Sequence, residues 1–154
     1  MEINGVPLHP LVIHAVVVFV PLAALGALVM AVPKWRWLAR WPTLLVTLGA
    51  TAATYVATLT GEDLEEERGL ETPLLKTHEE WGERLMIAMW IFAAVVIVSF
   101  WLLPHMTRLS GGRDKSSPAA ALATPVSVLL VLAAVAVLVL VVLTGDAGAK
   151  AVWK

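Results

Sequence analysis

Four stretches of this chain contain no Asp, Glu, Lys or Arg: Leu8 to Val32, Thr43 to Gly61, Leu85 to Leu103, and Ser116 to Gly145. A bilayer's hydrocarbon core is roughly 30 Å thick and needs about 20 apolar residues of helix to cross it. Each stretch meets that length, and none alternates apolar and polar residues as a barrel strand does. The expected fold is therefore an all-α, integral membrane four-helix bundle, a single domain over 1–154. Its spans are expected at about 8–32, 43–61, 85–103 and 123–145. A mean hydropathy of +0.82 is far above that of a water-soluble domain.

Local signals punctuate these spans. Pro10 suits a first helical turn, Pro33 and Pro104 stop the first and third helices, and Trp35, Trp37, Trp41 and Trp101 sit where interfacial aromatics belong. Thr77 followed by Glu80 reads as a capping box, which starts the third helix at His78 and extends it outward from the membrane. The amino end carries no Lys or Arg and lacks the pattern of a cleavable signal peptide, so the first helix is expected to persist. Lys34, Arg36 and Arg40 follow that helix, which points both termini outward from a bacterial cytoplasmic (inner) membrane.

Several function classes are excluded. With 11 Lys+Arg and a net charge of -1 there is no basic stripe for nucleic acid. Without cysteine, any metal must be held by His, Asp or Glu. The segment His78-Glu79-Glu80-Trp81-Gly82 lacks the second histidine of a zinc-protease helix. There is no nucleophile elbow, Walker loop or dinucleotide fingerprint, and Ser110-Gly111-Gly112-Arg113 reads as a flexible connector. The reading leans away from an enzyme.

Helix 2 closes on Leu59-Thr60-Gly61-Glu62 and helix 4 on Leu143-Thr144-Gly145-Asp146, a match that hints at two duplicated helical hairpins. Taken alone, each signature is a glycine helix stop with a solvated acid after it. In an odd–even arrangement both fall on the same face of the membrane as His9, His14 and His78. His14 lies about six residues inside the apolar run, where an ionisable group is expected to face the bundle interior and find a partner. Helix 2 offers one in a threonine row, Thr43, Thr47, Thr51, Thr54 and Thr58, that otherwise reads as interhelical packing. Pro21 releases a backbone carbonyl in helix 1. The acidic loop from Glu62 to Lys76 carries a balance of -4 and reads as a solvated turn ended by Gly69, and His105 reads as solvated.

Two imidazoles from different helices are how bundles hold haem b, with His14, His78 and His9 as the candidate cofactor ligands. Depth opposes a His14–His78 pair: counted from the inner helix ends they differ by seven residues, roughly 10 Å, against about 4 Å between two axial nitrogens. His9 matches His78 in depth to about 3 Å, but as the residue before Pro10 it is expected outside the helix. A divalent metal (zinc, copper or iron) on His78 with His14 or His9, Glu62 and Asp146 is geometrically easier.

The residues Asn4-Gly5-Val6-Pro7-Leu8-His9-Pro10-Leu11-Val12-Ile13-His14, with Thr60-Gly61-Glu62, His78 and the closing run from Thr144 to Trp153, resemble the bacterial transmembrane family catalogued as "domain of unknown function 2231", in its actinobacterial form. The resemblance covers nearly the whole chain. It implies a four-helix inner-membrane protein with histidines as the working residues, its pattern falls residue by residue on His9, Pro10, His14, Glu62, His78 and Asp146, and it supplies no activity. Two function classes lead: a haem- or metal-binding electron-transfer protein, and a non-catalytic accessory or scaffolding subunit that meets other membrane subunits or its own copies in the lipid bilayer. A solute or ion pathway ranks third.

Overall fold

The computed structural model describes residues 2–3, 6–69, 72–104 and 120–153. A two-residue antiparallel pairing of β1 (Glu2–Ile3) with β2 (Val6–Pro7) leads into α1 (Leu8–Ala31). Then come α2 (Arg36–Arg68), α3 (Pro73–Leu102), a short 3-10 turn (Ala120–Leu122) and α4 (Ala123–Trp153). All four helices are long and apolar enough to cross a membrane. The protein is an all-α membrane-spanning bundle. The expectations at His105 and Ser110 to Arg113 fall outside the described residues.

Packing is most intimate within the hairpins α1–α2 and α3–α4, and the hairpins join through α1–α4 and α2–α3. That makes α1 and α3 the diagonal pair. The core between them is filled by Val20, Ala23, Ala27, Met30, Met89, Phe92, Val96, Leu130, Ala134 and Val137, all essentially buried. Large apolar side chains such as Leu45, Ile87, Leu132 and Val142 point outward, which in water would be an aggregation surface and in a bilayer is the lipid face.

Four helix boundaries differ from the sequence expectation, each for a local reason. Helix α1 begins at Leu8, so His9 is helical. The first turn has no intrahelical N–H bonds to lose, so Pro10 is tolerated there, and the docking of His9 on α2 offsets the bias of a pre-proline residue. Helix α3 begins at Pro73 and not at His78: the Thr72 side chain accepts a hydrogen bond from the Leu75 N–H at 3.2 Å, with proline at the first helical position. Thr77 donates instead to the Pro73 carbonyl at 2.9 Å, within the helix. Finally, Gly61 and Gly145 do not stop helices. Glycine in a helix interior costs only about 1 kcal/mol, and α2 runs on to Gly69, whose φ of 59° and N–H bond to the Glu65 carbonyl end it as expected.

Close approach is what the half-buried glycine of α1, Gly26, provides. A Cβ on Gly26 would lie 2.7 Å from the Thr43 hydroxyl oxygen of α2. By contrast, a Cβ on Gly49, which is exposed and helical, meets nothing within 4 Å. Gly26→Ala is expected to destabilise the bundle by about 1–3 kcal/mol through overpacking, whereas Gly49→Ala stabilises it by about 0.5–1 kcal/mol through helix propensity. Opposite shifts in the detergent melting midpoint check the pair; equal shifts would remove the close-packing argument.

Candidate functional site

His9 and His78 meet at one end of the bundle, on the diagonally placed helices α1 and α3. His9, in the first turn of α1, directs Nδ1 at the Ala57 carbonyl of α2 at 2.9 Å, with the Thr60 hydroxyl 3.4 Å away. His78, in the second turn of α3, directs Nδ1 at the Thr144 carbonyl of α4 at 3.0 Å. A carbonyl only accepts, so each neutral ring carries its proton on Nδ1 and leaves Nε2 with a bare lone pair. The ring centroids are 6.4 Å apart with planes at 73°.

Each ring lies against a glycine four residues beyond its carbonyl partner. A Cβ on Gly61 would lie 3.1 Å from Cε1 of His9, and one on Gly148 would lie 2.9 Å from Cε1 of His78. The two hairpins therefore share one device, a carbonyl at i and a glycine at i+4 that seat an imidazole. They do not share it in the register of the Leu-Thr-Gly signatures: His78 seats one turn further along, on Gly148 rather than Gly145. The Thr144 hydroxyl, freed from the ring, donates to the Leu140 carbonyl at 2.9 Å or the Trp81 carbonyl at 3.1 Å. Gly148→Ala is expected to push His78 from its seat and lower stability by about 1–3 kcal/mol, the reverse of the usual gain from alanine in a helix. A histidine side-chain NMR shift together with the melting midpoint checks it.

His14 is elsewhere. Five residues at 100° each place it about 140° around α1 from His9, so the two cannot both face the bundle axis. It is exposed, and its Nδ1 bonds the Pro10 carbonyl of its own helix at 2.6 Å. The interior place beside the threonine row, expected for His14, belongs to His9. Glu62 is exposed, and exposed Asp146 pairs with Lys150 one turn along α4. The expected set of His14, His78, Glu62 and Asp146 is thus not brought together, and among the described residues no three His, Asp or Glu side chains are grouped to hold a metal ion. The cause is helical phase: Asp146 lies about 200° from Thr144, the residue that faces His78.

The opposite end holds a site that sequence reading missed. Arg36 is 4% exposed and reaches three other segments. Its Nε donates to the Met30 carbonyl at 3.0 Å, Nη2 to Ala31 at 3.0 Å and Ser127 Oγ at 3.4 Å, and Nη1 to Pro104 at 2.9 Å. One guanidinium thus caps the last carbonyls of α1, the exit of α3 and the first turns of α4. Arg40 donates to the Phe100 carbonyl at 2.8 Å and stacks on its ring, 4.0 Å from the centroid, where Trp41 packs edge-on. Both arginines read from the sequence as topogenic charges; the burial of Arg36 has no local signature.

The family model described as a predicted membrane protein, DUF2231, matches residues 5–154. The chain belongs to the DUF2231 family. No curated protein and no solved structure matches it. The match covers both hairpins of this DUF2231 protein, including the paired histidine seats and the arginine clasp.

Proposed function

We propose that this DUF2231 protein is a haem- or metal-binding electron-transfer protein of the bacterial cytoplasmic membrane, with His9 and His78 as the protein ligands and the histidine end outside. The observation that carries the reading is the pair of Nε2 lone pairs on rings 6.4 Å apart, each oriented by an Nδ1–H bond to a backbone carbonyl. Such outer bonds are what fix the tautomer and direction of ligating histidines. Two imidazoles sharing one iron, with bonds near 2 Å, have ring centres about 6 Å apart.

Two protein donors favour haem b over a bare ion. A porphyrin brings four nitrogens of its own, whereas zinc or non-haem iron needs three or more ligands from the chain. The depth mismatch that opposed His14 does not arise for His9, which α1 holds in helix. Haem held by His9 and His78 would supply a one-electron redox couple, which suits electron transfer. The chain's own contribution is orientation: Gly61 and Gly148 let the rings approach α2 and α4, and the Ala57 and Thr144 carbonyls accept the Nδ1–H bonds.

The test is the reduced-minus-oxidised visible spectrum of detergent-purified protein made with ample haem supply. Sharp bands of a six-coordinate b-type haem are expected. A flat spectrum, with metal analysis also blank, removes the reading.

A further inference from the structure

A cleft of about 700 Å³ opens at the arginine end, along the seam between the last turns of α1 and the first turns of α4. Sites for small ligands are commonly about 300–1,000 Å³. Its walls are graded in polarity. Toward the middle of the bundle they are apolar, with Leu28 of α1 and Val128 and Leu132 of α4. Val128 and Leu132 are also exposed, so this part of the cleft meets the lipid face. Toward the end of the bundle the lining turns polar, with Thr124, Ser127 and Arg36. From Thr124 to Leu132 the change takes about 12 Å along α4.

The polar end offers donors. Thr124 and Ser127 stand three residues apart on one side of α4. Ser127 Oγ accepts from Nη2 of Arg36 at 3.4 Å, and neither its own O–H nor the Thr124 hydroxyl meets an acceptor among the described residues. The last carbonyls of α1 are already taken, Met30 and Ala31 by Arg36, and Val32 by the Trp35 and Arg36 backbone N–H groups at 3.1 Å. Arg36 keeps the bonds that clasp the helix ends and adds a positive charge to the wall, and the amino end of α4 adds its partial positive charge. Lys34 and Arg40 belong to the same end. An oxygen-rich anion carrying an apolar tail matches this layout.

We propose that this cleft binds one anionic phospholipid of the adjoining leaflet, with its phosphate at Thr124, Ser127 and Arg36 and an acyl chain along the α1–α4 seam past Val128 and Leu132. The two hydroxyls donate to phosphate oxygens, and hydrogen bonds to an ionised acceptor are roughly twice as strong as neutral ones. The guanidinium selects a headgroup of net negative charge over a zwitterionic one, whose own cation it repels. Basic pockets between membrane-spanning helices are where anionic headgroups bind. Ser127 lies about 25 Å along α4 from Thr144, which seats His78, so the lipid site stands apart from the histidine pair and does not depend on a haem there.

The test titrates the detergent-purified full chain with phosphatidylglycerol or phosphatidylcholine and counts bound lipid by native mass spectrometry. Wild type is expected to hold one phosphatidylglycerol at least about tenfold more tightly than phosphatidylcholine. Thr124→Val combined with Ser127→Ala should weaken phosphatidylglycerol by about tenfold or more. Val128→Phe, which fills the cleft from an exposed position, should weaken it as well, and Val142→Ala on the distant lipid face should not. None of these positions is in the core, so melting midpoints without lipid stay near wild type and loss of binding is not loss of fold. Equal binding of the two lipids overturns the proposal, and so does a preference that survives both cleft variants. Inorganic phosphate that raises the melting midpoint as far as phosphatidylglycerol does would make the ligand a free anion and overturn the lipid assignment.

Discussion

Arg36→Met is expected to abolish the folded bundle at moderate temperature. The substitution keeps a long unbranched stem but leaves the carbonyls of Met30, Ala31 and Pro104 without the donors they now have. Each buried acceptor so orphaned costs about 1–3 kcal/mol, and breaking a buried charged network typically costs about 3–5 kcal/mol in all. Folded domains hold only about 5–15 kcal/mol in reserve. Because the same guanidinium touches α1, α4 and the exit of α3, the loss loosens three segments together. Arg36→Lys should recover little, since one ammonium cannot reproduce a fork that serves separated acceptors. Detergent-phase melting followed by tryptophan fluorescence reads the outcome. A melting midpoint within a few degrees of wild type for Arg36→Met would show that water or lipid replaces the arginine.

The second large effect concerns the histidine pair. His9→Ala and His78→Ala are each expected to eliminate the six-coordinate haem spectrum, while His14→Ala retains it. Loss of one Nδ1–H bond to a carbonyl costs only about 0.5–1.5 kcal/mol, too little to unfold the bundle, so a folded protein without bands separates ligation from stability. Free imidazole added to His78→Ala should restore the bands, because the seat against Gly148 and the Thr144 carbonyl remains. Bands that survive both single changes would reject the pair as ligands. Bands that vanish with His14→Ala would move the site to the exposed face of α1.

How much of this site the sequence disclosed differs by residue. His78 and the histidine-rich start of α1 were legible as candidates, since ionisable groups near apolar spans are conspicuous. The choice between His9 and His14 was not. The pre-proline rule argued against a helical His9, and only its bond to Ala57, a residue 48 positions away, reverses that bias. The repeated Leu-Thr-Gly-acid signature was misleading as punctuation, because both helices pass through it. The second histidine then uses a glycine one turn beyond the matched one. The threonine row was legible as a face; that its first two hydroxyls lack partners depends on how α1 and α3 close over it.

The sequence by itself determined that this is a four-helix membrane protein, because a run of about 20 uncharged apolar residues has one physical solution in a bilayer, a helix that satisfies its own backbone. It also determined the Gly69 stop and the helix ends just before Pro33 and Pro104, which are local backbone constraints. Only the tertiary structure decided which histidine faces inward, which glycines serve as seats, and that Arg36 holds helix ends together and is more than a topogenic charge. Those facts depend on the rotation and axial slide of one helix against another. Rotation and slide are set by the summed packing of small side chains across the interface, a quantity that no single position in the chain carries.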